Sequence, residues 1–343
     1  MTMACAVWLW PGGDVAPASA APAANAVEAV KQAERQVDMM LFRIHMFHQE
    51  ARSGIRSALK LKMFQEYFTL EESKANRFDS LGQILLTPRQ TELRQRMEAW
   101  VMSLQRRFPI GEACLVDRDG QEHLRVVHGE AEQPVNFSHE EQDAPFFDAA
   151  FAMAPDGVLM TEPYMSPDSL QWVSAFVAPV ILPEGSRPAF FHYEVPLGVY
   201  QTIVSTHDYS FAAPQAKTPD HDEEGRYFIL DARGLVVADN RHPVDFHLKA
   251  ERHPDKNPEL GDFAPAEKWE DYLRAASSIT AAPAFLEAVE AMKKGERGMR
   301  QLTLEGKPYI LLFRPLEGRP WSLGHLDPVA EPGFWEQPAG RSH

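Results

Sequence analysis

The sequence predicts an α+β protein: a long N-terminal helix followed by two tandem modules, each an antiparallel sheet of about five strands with flanking helices. Three observations predict it. A hairpin signature occurs twice, with Asp117 and Asp231 at matching positions 114 residues apart. Apolar residues between positions 27 and 47 recur at helical spacing. The order hairpin, helix, three strand-like runs then occurs twice along the chain, the mark of a duplicated unit.

The helix comes first. Asn25 with Glu28 reads as a capping box, and Val27, Val30, Val37, Met40, Leu41, Ile44 and Phe47 form one apolar stripe. Such a stripe over roughly 25–30 residues fits a helix packed on a core or on a second copy of the chain. Residues 55–106 continue as helix, with a start at Thr87-Pro88 and a stop at Pro109. Both hairpins follow one design. In Cys114-Leu-Val-Asp117-Arg-Asp-Gly120 and Phe228-Ile-Leu-Asp231-Ala-Arg-Gly234, an apolar strand meets a turn in which Asp caps its own backbone and Gly accepts a positive φ. A short helix at 145–153 and strand-like runs at 157–164, 170–180 and 188–195 complete the first unit. A helix at 282–293 and runs at 298–304, 307–315 and 321–326 complete the second.

Of 343 residues, 44% are apolar and 24% charged, ordinary for a globular chain. The net charge of −15 argues against a nucleic-acid surface, which needs a basic footprint. The two cysteines, Cys5 and Cys114, make neither a disulfide framework nor a zinc cluster, and Cys114 reads as a small buried hydrophobe. Residues 3–10 are apolar but too short to span a bilayer. With Ala18-Ser-Ala20 they read as a degenerate signal, an anchor remnant or a gene-start artefact. No Gly-x-Ser-x-Gly elbow, phosphate-binding loop or His-Glu-x-x-His motif occurs, and no cofactor or enzymatic activity is expected.

In this order the residues resemble an extracytoplasmic double Cache sensor domain, over about residues 25–327. The family often reads Arg-x-Trp-Tyr, Gly, Pro-Tyr, a strand ending Pro-Val, and a strand ending Asp-Ile-x-Leu. Here the matching positions are Ala144-Pro-Phe146-Phe147, Gly157, Pro163-Tyr164, Ala178-Pro179-Val180 and Glu194-Val-Pro-Leu197. The second half keeps Phe285, Gly298, Lys307-Pro-Tyr309, Arg314-Pro and Trp321. The resemblance implies a tail at 1–24, a helical stalk at 25–106, a membrane-distal PAS-like module at 107–211, a membrane-proximal one at 212–327, and a tail at 328–343. It also implies a periplasmic receptor domain of a bacterial chemoreceptor or histidine kinase, a homodimer through the N-terminal helix, and contact with a membrane only through an anchor outside this chain.

The resemblance implies a ligand site as well. Amino-acid-sensing members hold the ligand carboxylate with the Arg that is Ala144 here, and the ligand amine with an Asp that is Glu194 here. The carboxylate clamp is lost and the acid kept. The expected ligand-binding residues are Phe146, Phe147, Tyr164, Trp172, Ser174, His192 and Glu194, and aromatic rings around one carboxylate suit an amine. Trp172, Ser174 and Phe176 share one strand face, and His192 and Glu194 one face of the next. Other groups have plainer readings. Asp117 and Asp119 are turn residues. Arg125 either enters the pocket or is an exposed strand charge. His45 and His48, at a possible metal spacing, read as solvent-facing, and His242, His247 and His253 with Asp239 and Asp245 read as a polar surface loop. Two rival functions are an enzyme of unrecognised α+β type and a dimerisation module with a degenerate pocket.

Overall fold

The computed structural model describes residues 21–106, 108–166, 168–169, 171–206, 225–241, 283–304 and 306–329. Helix α1 (Ala21–Leu59) runs for 39 residues, well beyond the stripe that predicts it. It starts ahead of Asn25, so Asn25 is helical rather than a cap; the alanine-rich lead-in has the highest helix propensity. Its inner face of Ala33, Val37, Met40, Ile44, Phe47, Ala51, Ile55 and Ala58 is fully buried at steps of three and four. Helices α2 (Lys62–Thr69) and α3 (Pro88–Gln105) pack beside it. α3 begins as the sequence predicts. Gln90 N donates to Thr87 Oγ1 at 3.2 Å, and Thr87 N to Gln90 Oε1 at 2.9 Å, a reciprocal cap with Pro88 at the first helical position.

The first sheet contains β1 (Glu112–Asp117), β2 (Glu122–Val127), β3 (Glu130–Ala131), β4 (Leu159–Met160), β5 (Tyr164–Ser166), β6 (Gln171–Val180) and β7 (Ala189–Pro196), in the order β3-β2-β1-β7-β6-β4 with β5 also on β6. The 157–164 run is therefore not one strand. It divides around Pro163, which has no N–H to give a ladder. Helix α4 (Phe147–Ala152) covers one face and α5 (Gly198–Thr206) leads out. The second sheet contains β8 (Arg226–Leu230), β9 (Val236–Asp239), β10 (Gly298–Leu304), β11 (Lys307–Pro315) and β12 (Ser322–Pro328), in the order β10-β11-β12-β8-β9, with α6 (Pro283–Lys293) on one face. Both sheets place the hairpin outside the last strand, and the last strand beside the one before it. The repeat read from the sequence is thus a repeat of topology.

The duplicated turns share one Oδ1 capping pattern. Asp117 Oδ1 accepts from the N–H groups of Asp119 and Gln121 at 2.8 and 2.9 Å. Asp231 Oδ1 accepts from those of Arg233 and Leu235 at 2.9 and 2.8 Å. Gly120 and Gly234 stand at φ of 78° and 84°, and each hairpin carries a bulge at the same place, after Leu115 and after Ile229. Both aspartates are turn residues, as expected.

One face of each sheet packs on α1. A single core joins Ile44, Phe47 and Ile55 to Leu115, Phe176, Phe191 and Tyr193 of the first sheet and to Ile229, Leu312 and Leu323 of the second. Among the described residues no helix is long and apolar enough to cross a membrane. His242, His247 and His253, with Asp245, lie outside the described residues. Asp239 is not part of an open polar loop: it is buried and accepts from Arg226 Nε at 3.1 and 3.0 Å.

His48 departs from its solvent-facing expectation. The helix turns it inward, where Nε2 lies 3.0 Å from the Tyr200 hydroxyl, beside the rings of Phe47 and Phe176. Burial first, then the charges of Arg319, Arg52 and His45, lower its pKa to about 3. The folded value lies below the unfolded one of 6.5, so the neutral imidazole stabilises the fold above pH 6.5, and that contribution is lost as pH falls toward 3. Urea titrations at pH 7 and pH 5 are expected to show that His48→Gln removes a loss approaching about 1.4 kcal/mol per pH unit.

Candidate functional site

Strand register decides which side chains share the outer face of the first sheet. β1 and β7 pair Glu112 with Glu194, Cys114 with His192 and Val116 with Phe190, so these side chains stand side by side. Tyr164 pairs with Val173 and joins the same face. Phe146, Phe147, Ala150 and Phe151 close over it.

Five of the seven expected ligand residues meet here: Phe146, Phe147, Tyr164, His192 and Glu194. The Phe146 ring lies 5.7 Å from Tyr164 and 5.2 Å from His192, and Phe147 lies 5.7 Å from Phe190. Trp172 and Ser174 do not join them. The β6–β7 register pairs Ser174 with Val195 and Ala175 with Glu194, which sends even-numbered β6 residues to the α1 side. There Ser174 Oγ donates to the Thr161 carbonyl at 2.7 Å and Trp172 packs on the main core. A one-residue offset between strands reverses the face.

The site is closed and acidic. Glu194 and His192 are each 3% exposed. Glu194 Oε1 accepts from the Tyr164 hydroxyl at 2.5 Å, while Oε2 has no partner. Burial raises Glu194 to about 7, and burial with the charge of Arg125 lowers His192 to about 3, so its imidazole is neutral; neither ring nitrogen has a partner. Arg125 is turned into this face with its side chain only 12% exposed, which decides between its two readings. Its Nε lies 3.3 Å from Glu112 Oε1 and its Nη1 3.7 Å from Glu122 Oε2, and its Nη2 pairs with Asp168. Three carboxylates thus face one guanidinium.

Glu112, Cys114, Glu122 and Asp168 escape the sequence reading. A period-two signal was present in Glu112 and Cys114, two non-aliphatic residues on one face of an otherwise apolar strand. Glu122 is displaced onto that face by the bulge, which spacing does not reveal.

No family model and no curated protein matches the sequence. Solved structures do match. The sensory domain of the Campylobacter jejuni chemoreceptor Tlp3 with isoleucine bound superposes at a TM-score of 0.55, with 11% identity, over 91% of this chain and 97% of that one. The same receptor's ligand-binding domain with 4-methylisoleucine gives 0.56, at 11% identity over 89% and 92%. The extracellular domain of the putative histidine kinase vpHK1S-Z8 gives 0.52, at 12% identity over 89% and 97%. The chain has the double Cache fold.

Within that double Cache fold the described residues of the second unit have no equivalent of the acidic site. The pair Cys114–His192 in the first sheet corresponds to Phe228–Gly324 in the second, and Glu194 corresponds to Leu326. The Phe228 ring lies over Gly324, where an added Cβ would meet it at 2.3 Å, and Phe285 of α6 packs behind it. The position is filled by protein. Gly324→Ala is expected to cost about 1–3 kcal/mol of stability by overpacking, read by chemical denaturation.

Proposed function

We propose that this chain is the ligand-sensing part of an extracytoplasmic bacterial signalling protein, and that its first unit binds a small organic amine. Residues 107–211 form the membrane-distal sensing module and 212–327 the membrane-proximal one, and 25–106 form the stalk that passes the signal on. The module binds its ligand without turning it over. The observation that carries the reading is Glu194: a buried carboxylate with one oxygen held by Tyr164, the other unpartnered, walled by Phe146, Tyr164 and His192. An ammonium supplies the missing donor and the rings favour a cation. The Tlp3 domain, of the same fold, is a chemoreceptor sensory domain with isoleucine bound. Ala144 removes the side chain that the family resemblance assigns to the ligand carboxylate, which favours an amine over an amino acid. Because the site is closed, entry requires β5 to lift, breaking the Tyr164–Glu194 bond and the Asp168–Arg125 pair. Thermal-shift screening of primary and quaternary amines against matched carboxylates tests the reading: amines are expected to stabilise the protein, and stabilisation by carboxylates alone overturns it.

The receptor form is a homodimer through α1. Met39, Phe42 and Met46 are exposed at positions i, i+3 and i+7, with Phe42 at 61%, a stripe at the spacing of a helix seam. Sedimentation is expected to show a dimer that Phe42→Glu converts to a monomer.

A further inference from the structure

Beneath the proposed amine site, the floor of the first sheet carries a second set of donors. Glu112, Cys114 and Glu122 are all buried, and one ligand atom from each lies within 4.8 Å of the others. Cys114 Sγ is 3.2 Å from Glu112 Oε1. Bond lengths of about 2.3 Å to sulfur and about 2.1 Å to oxygen place two ligand atoms of one tetrahedral ion about 3.6 Å apart, so this pair needs only a small adjustment to share an ion.

Independent observations point to a ligand here. Glu122 is 0% exposed, and its Oε1 has no partner, while Oε2 accepts from the Ser138 N–H at 2.7 Å. His192 stands directly across from Cys114 in the β1–β7 register, on the same face, with both ring nitrogens unpartnered; they lie outside the 4.8 Å group of the other three, so a ring rotation brings His192 in as the fourth ligand. Buried polar groups in native proteins are satisfied, and two left open around one thiol call for a common partner. Glu112 Oε2 is held by Ser166 Oγ at 3.3 Å, an outer contact of the kind that orients a ligating carboxylate. Arg125 keeps Asp168 and the Asn136 carbonyl, the latter at 3.1 Å, and so has partners apart from the two glutamates it shares.

We propose that Cys114, His192, Glu112 and Glu122 form a binding site for a single divalent transition-metal ion of the zinc class. The mixture of sulfur, nitrogen and oxygen donors fits such an ion, whereas calcium and magnesium take all-oxygen shells. The ion would lie in the floor of the ligand site, so that its charge and the ligand's share one acidic face.

Cobalt(II) alone, added to the full chain stripped of metal, is the test, because a thiolate bound to cobalt absorbs where carboxylates do not. One equivalent is expected to bind with a thiolate-to-cobalt charge-transfer band and tetrahedral d–d absorption, and zinc to abolish both by displacement. Cys114→Ser is expected to lose the charge-transfer band and weaken binding at least tenfold, and Cys5→Ser to retain both. No charge-transfer band in the folded wild-type protein overturns the site, as does a band that follows Cys5 rather than Cys114, or weak binding of several ions without a thiolate signature. His192→Asn gives a second reading, an expected shift of the d–d bands; an unchanged spectrum removes His192 from the site. Amine binding without a cobalt signature overturns this inference alone, and a cobalt signature without amine binding overturns the proposed function alone.

Discussion

Glu194→Gln is expected to abolish measurable amine binding. The substitution keeps the shape of the side chain and an oxygen for the Tyr164 hydroxyl, but removes the one charge in the aromatic enclosure that a bound ammonium pairs with. Removing one member of a buried charge pair costs about 2–5 kcal/mol, or roughly 30-fold and more in affinity. Isothermal titration with the best amine from the thermal-shift screen measures it. The melting temperature of the empty protein is expected to hold, because no cation in the site depends on Glu194: Arg125 pairs instead with Glu112, Glu122 and Asp168. Retained amine affinity in Glu194→Gln would place the ligand elsewhere.

The second large effect is expected at Trp321, where the two units meet. Its side chain is fully buried, packs edge-on against Tyr200 at 5.3 Å, and donates from Nε1 to Glu162 Oε2 at 2.9 Å. Arg319, stacked over the same ring at 4.9 Å, donates to the Met160 and Thr161 carbonyls, and Arg233 Nη2 donates to the Pro163 carbonyl at 2.9 Å. These contacts from the second unit grip the segment between β4 and β5, which ends at Tyr164, the residue bonded to Glu194. Trp321→Ala is expected to cost about 3–5 kcal/mol, measured by urea denaturation. Amide exchange is expected to rise across both the 160–164 segment and the second sheet; an increase confined to the second sheet would show that this contact does not join the two units.

Much of the fold was legible because its signals are local. The Asp-x-x-Gly turns announce themselves through short-range chemistry that holds wherever the turn is placed, and both share the same backbone capping and the same bulge. The inner face of α1 follows from a spacing of three and four residues along one segment. The site was legible only in part. Phe146, Tyr164 and Glu194 were named from the order of motifs and His192 from sharing a strand face with Glu194, and the structure brings them together. Trp172 and Ser174 were placed with them by alternation along one strand, but alternation does not say how two strands are offset, and the observed offset turns them to the helix side. His48 was misplaced, and Arg125 left between two readings, for a similar reason: a charged or titratable side chain reads as exposed until a partner from a distant segment satisfies it, Tyr200 for the one and Asp168 for the other.

The sequence by itself therefore determined the long helix, the two hairpins and the repeated α+β order, since periodicity and turn chemistry act between near neighbours in the chain. Tertiary structure alone decided the site. Cross-strand register set Cys114 against His192 and Glu112 against Glu194, and the bulge after Leu115 brought Glu122 onto the same face. In the second sheet the same register set Phe228 over Gly324, so that one copy of the fold encloses unpartnered polar groups and the other is filled by an aromatic ring. Contacts between residues far apart in sequence depend on how strands are offset and which faces they bury, and no single stretch of the chain encodes that.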